Sequence, residues 1–329
     1  MPPGEFERIG EMLEIAARLP APPEVVHGPG DDAAVLRPAA GESMVLSVDL
    51  SIEGIHFRRA WLTWDAIGYR ATAAALSDLA AMGARPLAAL VSVALPVELD
   101  TAVYVQLASG VTEALADAGA ALVGGDTSRS PGPALIDVTV VGAVTEPLRR
   151  AGATAGDQVW VTGRLGGAAA AVLTLQSALE PSPSVRRRFE RPTPRWREAR
   201  WLGERGIPTA LIDLSDGLAG DARHVARASE VGLRLRIDAI PLDDGLEGWS
   251  DTGAARRIAA GGGEDYELLF TAPAGHVERV RAAFERTFDL ELTRVGDVVP
   301  GSGVAWIDRA GEPVDPPAPA GVDHFAESE

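Results

Sequence analysis

Five segments of this 329-residue chain place aspartates at the ends of apolar runs, beside glycine or other small residues. They are GPGDDAAVL with Asp31 and Asp32, LSVDL with Asp49, LSDLAAMG with Asp78, VGGDT with Asp126, and LIDLSDG with Asp213 and Asp216. A single aspartate in such a place is ordinarily a helix cap or a turn residue. Asp78 differs, because helical spacing puts it on one face with Ala71, Ala74, Ala75 and Met82, which reads as the packed face. An unpaired carboxylate there is costly unless it stays protonated. A hard divalent cation relieves that cost by taking carboxylate oxygen. Repetition of the pattern therefore points to a metal cluster, and magnesium held in this way usually keeps phosphate among its ligands.

Composition narrows the chemistry further. The formal charge is −17, and every one of the 30 basic residues is arginine. An acidic chain without a basic footprint is a poor nucleic-acid binder, and its charge repels anionic lipid. Without lysine there is no P-loop, no protein-kinase strand lysine and no Schiff base. Cysteine is absent too, which removes disulfides, thiolate metal sites and thiol nucleophiles. The opening MPPGEFERIGEML has neither a basic region nor an apolar core of a signal peptide, and no stretch is apolar enough to span a bilayer. The expectation is a cytoplasmic protein with no nucleic-acid or membrane partner.

Other motifs say less by themselves. Gly124-Gly125 ahead of Asp126 admits close approach of backbone N–H groups to phosphate, or is a plain tight turn. Arg149 and Arg150 read as a phosphate clamp or a solvated basic pair, and Arg186–Arg188 as a solvated face. GRLGG at 163–167 lacks the GxGxxG spacing and reads as a strand–helix turn. No HExxH or GxSxG pattern is present, and His56 alone reads as structural. GGGEDYELLF brings Glu264 and Asp265 to a strand start, as a site or as a glycine-rich turn. The residues alone reach a multi-metal, phosphate-handling enzyme and no substrate.

The elements that must position these groups alternate between strand and helix. Strands are expected at 43–50, 87–95, 135–144, 158–163, 232–238, 264–270 and 304–307. Helices are expected at 64–82, where Gly83 closes the run, at 100–118, over the alanine-rich stretch after Gly166, and at 276–288. ALVGG reads as a short strand entering a Gly-Gly-Asp turn, residues 181–200 as an exposed connection into another helix, and ALIDLSDGLAGDARHVARA as strand, acidic turn and helix. The polar segment 146–157 sets a boundary near 147. The expected class is α/β (α+β) in two domains, 1–146 and 147–329.

At these motifs the chain resembles the thiamine-monophosphate kinase family, of the superfamily shared with aminoimidazole ribonucleotide synthetase. The resemblance runs in order through GEFERI, GDDAAVL, EGIHF, LSDLAAMGA, GGDT, RRAGATAGD, IDLSDGL, GGGEDYELLF and a terminal DHF. It implies N-terminal and C-terminal domains of the aminoimidazole ribonucleotide synthetase-like type, the first binding ATP and magnesium and forming a homodimer through its sheet. It implies transfer of the ATP γ-phosphoryl group to thiamine monophosphate with several Mg²⁺ ions, and leaves K⁺ open. Carried over motif by motif, Asp32, Ser47, Asp49, Asp78, Asp126, Asp213 and Asp216 resemble the metal ligands. Gly125, Asp126, Arg150 and Ser215 resemble the nucleotide contacts, and Asp126, Asp216 and Arg150 the catalytic set. His56 and Glu264 resemble the thiamine-phosphate positions. Val48 stands where the family usually has threonine, leaving a backbone carbonyl as a metal ligand, and Val322 where it usually has a substrate-packing aromatic. Another ATP-using member of the superfamily, a two-metal phosphohydrolase and a non-catalytic nucleotide-binding module remain the alternatives.

Overall fold

The computed structural model describes residues 10, 14, 15, 17 and 20–317, apart from 97 and 248. GEFERI, Val322 and the DHF motif lie outside the described residues. The chain divides between Pro147 and Leu148 into two compact units. No described helix is long and apolar enough to cross a membrane.

The first unit opens with a hairpin, β1 (Val25–His27) and β2 (Val35–Leu36), then runs β3 (Ser43–Ile52), α1 (Trp64–Ala81), β4 (Arg85–Pro96), α2 (Thr101–Ala118), β5 (Ala121–Ser130) and β6 (Leu135–Val144). Its sheet has the order β3-β6-β4-β5, with β4 and β5 parallel and the other pairs antiparallel. A helical crossover such as α2 is what a parallel pair requires. Asp100 caps α2 by accepting the Val103 N–H, and Gly119 ends it in the left-handed conformation.

The two helices lie unusually close. A Cβ on Gly110 of α2 would sit 1.8 Å from the Asp65 carbonyl oxygen of α1, so no larger residue fits. Around this crossing Tyr69, Ala73 and Ala114 are buried together, and the Tyr69 hydroxyl donates to Asp117 at 3.0 Å.

β3 shows which face these helices cover. The Ser47 hydroxyl donates to Asp78 on α1, whereas Leu46, Val48 and Leu50 are 65%, 59% and 42% exposed on the other face. Met44, of the same parity, is covered by the β1–β2 hairpin through Val25, Ala34 and Leu36. The sheet therefore leaves an apolar stripe, Leu46, Val48 and Leu50, exposed on the face opposite the helices.

Gly124-Gly125-Asp126 corrects the expected turn, because all three belong to β5. The register shifts between Ala89 and Leu90 opposite Gly124. A Cβ on Gly125 would lie 2.0 Å from the Val91 carbonyl oxygen. The two glycines permit a close, bulged strand pairing here.

The second unit runs β7 (Gln158–Thr162), α3 (Gly167–Gln176), α4 (Pro183–Glu190), α5 (Trp196–Gly203), β8 (Ala210–Asp213), α6 (Leu218–Ser229) and β9 (Gly232–Arg236). There follow α7 (Asp244–Glu247), α8 (Thr252–Gly261), β10 (Leu268–Ala272), α9 (His276–Phe288), β11 (Leu292–Val299) and β12 (Gly303–Ile307). Its mixed sheet has the order β12-β9-β11-β7-β10-β8, with only β12 and β9 parallel.

Three further expectations are corrected in this unit. Residues 181–200 contain α4 and the start of α5, and α4 buries Val185 and Phe189 at helical spacing. The arginine run is not wholly solvated, since Arg188 pairs with the buried Asp243 at 2.6 Å. The strand expected from residue 264 begins at Leu268, because Glu264 and Tyr266 take positive φ.

GRLGG is the turn between β7 and α3, and its helix start is already occupied. Asp265 accepts the Gly166 N–H at 2.6 Å and the Ala168 N–H at 3.3 Å. Burial, with repulsion from Glu267 and Asp243, raises the Asp265 pKa from 3.8 to about 7 despite those two bonds.

Two predictions follow from this packing. Gly110→Ala must part the helices or shift backbone, and should lower the unfolding free energy by about 1–3 kcal/mol. Urea unfolding measures this, and a loss below about 0.5 kcal/mol would mean that the crossing yields easily. For Asp265 the folded state binds a proton that the unfolded chain has released between about pH 4 and 7. Its stabilising contribution is present below pH 3.8 and is lost as pH rises through 7. The melting temperature of Asp265→Asn relative to the parent should therefore improve from pH 5 to pH 8. A constant difference would show that Asp265 does not titrate in that window.

Candidate active site

In the first unit, three of the expected oxygen donors gather on the helix-covered face of the sheet. Ser47 and Asp49 alternate with the exposed residues of β3, and Ser47 reaches Asp78 on α1 at 2.5 Å. Asp78 is half-buried rather than enclosed, and that hydroxyl is its first partner. Val48 points its side chain to the opposite, open face. Asp32 lies in the exposed β1–β2 loop, where its N–H donates to Asp31.

Asp126 stands apart from this group. It pairs in register with Ser92, Ser92 with Asp137 and Asp137 with Leu50, so it shares the open face of the sheet. From β5 to β3 is three strand steps, roughly 14 Å at ~4.8 Å each. Asp126 is exposed, and its carboxylate accepts the Thr127 N–H at 2.8 Å.

His56 lies just after β3. Its Nδ1 accepts the Ile52 N–H at 3.1 Å, which leaves the neutral imidazole's proton on Nε2. That is the polarity needed to donate to a phosphate oxygen.

In the second unit, β8 ends at the buried Asp213, and the turn into α6 carries the exposed Ser215 and the half-buried Asp216. Asp221, one turn into α6, is only 2% exposed and accepts the Asp216 N–H at 3.1 Å. Burial, then the charges of Asp213 and Asp216, raise the Asp221 pKa from 3.8 to about 8. Arg150 is near enough to oppose that shift. The 149–150 segment is fixed beside this cluster by Leu211 N–H donating to the Arg149 carbonyl and Ser229 Oγ donating to that of Arg150.

Asp221 and His224 were not among the expected site residues. Carboxylate and imidazole atoms of Asp216, Asp221 and His224 lie within 4.8 Å of one another. The signal was available in DGLAGDARH, where Asp221 and His224 fall three apart on a helix and so share a face.

Glu264 is held against the acidic turn from the other side. Its N–H donates to the Ser215 carbonyl at 2.9 Å, and the Tyr266 N–H to that of Leu214 at 3.0 Å. Ser215, Asp216 and Glu264 thus belong to one pair of adjoining turns.

The geometry has counterparts among known proteins. Residues 30–144 match the AIR synthase related protein N-terminal domain, and residues 154–308 the corresponding C-terminal domain. Thiamine-monophosphate kinase of Salmonella typhimurium is 37% identical over 277 residues, 82% of this chain and 83% of that protein. The crystal structure of thiamine-monophosphate kinase from Stenotrophomonas maltophilia is 35% identical, with a TM-score of 0.82, covering 93% of this chain and 96% of that one. A structure described as AaThiL complexed with AMPPCP and TMP is 31% identical, with a TM-score of 0.76, covering 98% of this chain and 97% of that one. With both domains matched and identity of this order along most of its length, the chain belongs to the thiamine-monophosphate kinase family.

Proposed function

We propose that the protein transfers the γ-phosphoryl group of ATP to the phosphate of thiamine monophosphate, giving thiamine diphosphate and ADP. The observation that carries this reading is the likeness, along 98% of the chain, to a relative complexed with AMPPCP and TMP. The acceptor is a phosphate monoester whose second pKa is about 6, so it is mostly a dianion at pH 7. Attack by such an oxygen needs no general base.

The difficulty is electrostatic, since two polyanions must approach. The donors suit Mg²⁺, being oxygen atoms of carboxylates and a hydroxyl, and the crowding that raises the Asp221 pKa favours a cation nearby. Mg²⁺ would supply neutralisation of phosphate charge and alignment for in-line transfer. Asp32, Ser47, the Val48 carbonyl, Asp49, Asp78 and Asp126 are its assigned ligands in the first unit, and Asp213 and Asp216 in the second. Arg150 steadies phosphate charge through its guanidinium N–H groups. The Gly125 N–H and the Ser215 hydroxyl donate to the nucleotide, while His56 and Glu264 hold the thiamine phosphate.

The same reading includes a homodimer in the cytoplasm. Leu46, Val48 and Leu50 form an exposed apolar stripe on a sheet face that helices leave bare, which favours burial against a second copy. Asp126 shares that face, so the nucleotide position assigned to it belongs with the surface such a dimer would form.

The decisive assay incubates the protein with thiamine monophosphate, ATP and Mg²⁺ and follows thiamine diphosphate and ADP. ADP release that does not depend on the thiamine phosphate would indicate a phosphohydrolase instead. Asp126→Asn and Asp216→Asn should each lower kcat by about 10²-fold or more with the circular dichroism spectrum unchanged. Full activity in both would overturn the ligand assignment. Light scattering should give twice the chain mass, and a Leu46→Glu/Val48→Glu double variant should give single chains. A monomeric parent would remove the dimer from this reading.

A further inference from the structure

Three acidic residues of the GGGEDYELLF segment have separate tasks. Glu264 faces a cavity whose other wall is the strap at residues 191–193, with Arg191, Pro192 and Thr193. Asp265 is tied to the start of α3. Glu267 is fully buried and binds Thr162 Oγ1 at 2.6 Å, Arg195 Nε at 2.9 Å and Arg195 Nη2 at 2.5 Å.

The backbone between these anchors is strained. Glu264 has φ +67° and Tyr266 φ +50°, a left-handed conformation that disfavours side chains with a Cβ. Such a conformation persists only where its surroundings over-determine it. Two hydrogen bonds to the Leu214 and Ser215 carbonyls hold one side of the turn. The other side is held by a planar guanidinium that reaches Glu267 through two N–H groups at once.

Arg195 ends the strap that forms the facing wall of the cavity. Its bond to Glu267 therefore links the two walls, strap to turn. Burial disfavours its charge, yet the adjoining Glu267 carboxylate keeps its pKa above the ordinary arginine value. The pair is thus ionic and desolvated.

We propose that Arg195 is a positioning residue for the acceptor site: through Glu267 it holds the Gly263–Glu267 turn against the strap and so fixes the carboxylate of Glu264. The proposal rests on the reading of Glu264 as a thiamine-phosphate contact. It goes beyond that reading by assigning a positioning function to Arg195 and Glu267, which line the same cavity. The Leu214 N–H to Glu267 carbonyl bond and the Asp216–Asp221 contact do not depend on the guanidinium, so the nucleotide positions at Ser215 and Asp216 keep their own support.

The test is steady-state kinetics in the full-length protein with both substrates varied. Arg195→Met alone strands the buried Glu267, so the Arg195→Met/Glu267→Gln double variant is measured beside it, with melting temperature as the check on folding, since Glu198, 3.7 Å from the guanidinium, loses its partner in both. The folded double variant should raise KM for thiamine monophosphate about ten-fold or more, because small misplacements of a binding group are costly. KM for ATP should stay within about two-fold of the parent, and Arg195→Lys, which keeps the charge but not the fork, should fall between parent and double variant. If the double variant melts earlier while KM for thiamine monophosphate does not change, Arg195 is merely structural and the proposal is overturned. Glu264→Ala separates the two levels of the argument. If that change leaves KM for thiamine monophosphate unaltered, the reading of Glu264 fails and the positioning role fails with it. If it raises KM and the Arg195 variants do not, only the positioning role is lost.

Discussion

Crowded carboxylates are the constraint to which the rest of the chain is fitted. Asp213 and Asp221 are each 2% exposed, and Asp216 lies beside them. Charge cannot be stored at such density without a counter-ion, so part of it is held as protons, as the raised Asp221 pKa shows. No lysine is available anywhere in the chain to relieve it. A fold that keeps such a cluster forgoes stability at that place, which is characteristic of sites that bind cations.

Arginine replaces lysine throughout, and the two are not equivalent. A guanidinium is weakly hydrated and presents a rigid fork, so it tolerates burial against a carboxylate better than an ammonium does. Arg195 with Glu267 exploits this at the second unit's turns, and the more exposed Arg188 forms an ion pair with the buried Asp243. Arg85 does the same in the first unit, bridging Glu24 and Glu42 and so tying the hairpin to the sheet. These pairs join segments that the chain order leaves far apart.

How far the site could be read from sequence depended on the range of the forces involved. Asp78 was legible because helical period alone placed it among Ala71, Ala74 and Ala75, whereas Ser47 was named only through the family resemblance and its bond to Asp78 is seen only in the fold. Both domains were legible from motif order, with GDDAAVL in the first and IDLSDGL in the second, each confined to a few consecutive residues. Gly124-Gly125 misled, because a glycine pair has the same sequence signature in a turn and in a close strand pairing. Only the partner strand, with the Val91 carbonyl against Gly125, decides between them. Glu264 and Tyr266 misled for a similar reason. The run from Tyr266 to Phe270 favours strand, and the opposing demand comes from Asp265 and Glu267 bonding to segments about a hundred residues earlier. β11 escaped notice altogether, as LTRVGDVV has an interior glycine and two charges that mask its alternation.

The separation of Asp126 from Ser47, Asp49 and Asp78 bears on how such a site evolves constraints. Parity fixes it: a one-residue slip of β5 would carry Asp126 to the helix-covered face and Gly125 to the open one. The register is held by the bulge opposite Gly124 and by the close approach at Gly125, where only glycine fits. The two glycines therefore also set the register of the aspartate that follows them. Their contribution is to set which side of the sheet the carboxylate occupies. A substitution at Gly125 would move Asp126 even if the fold survived.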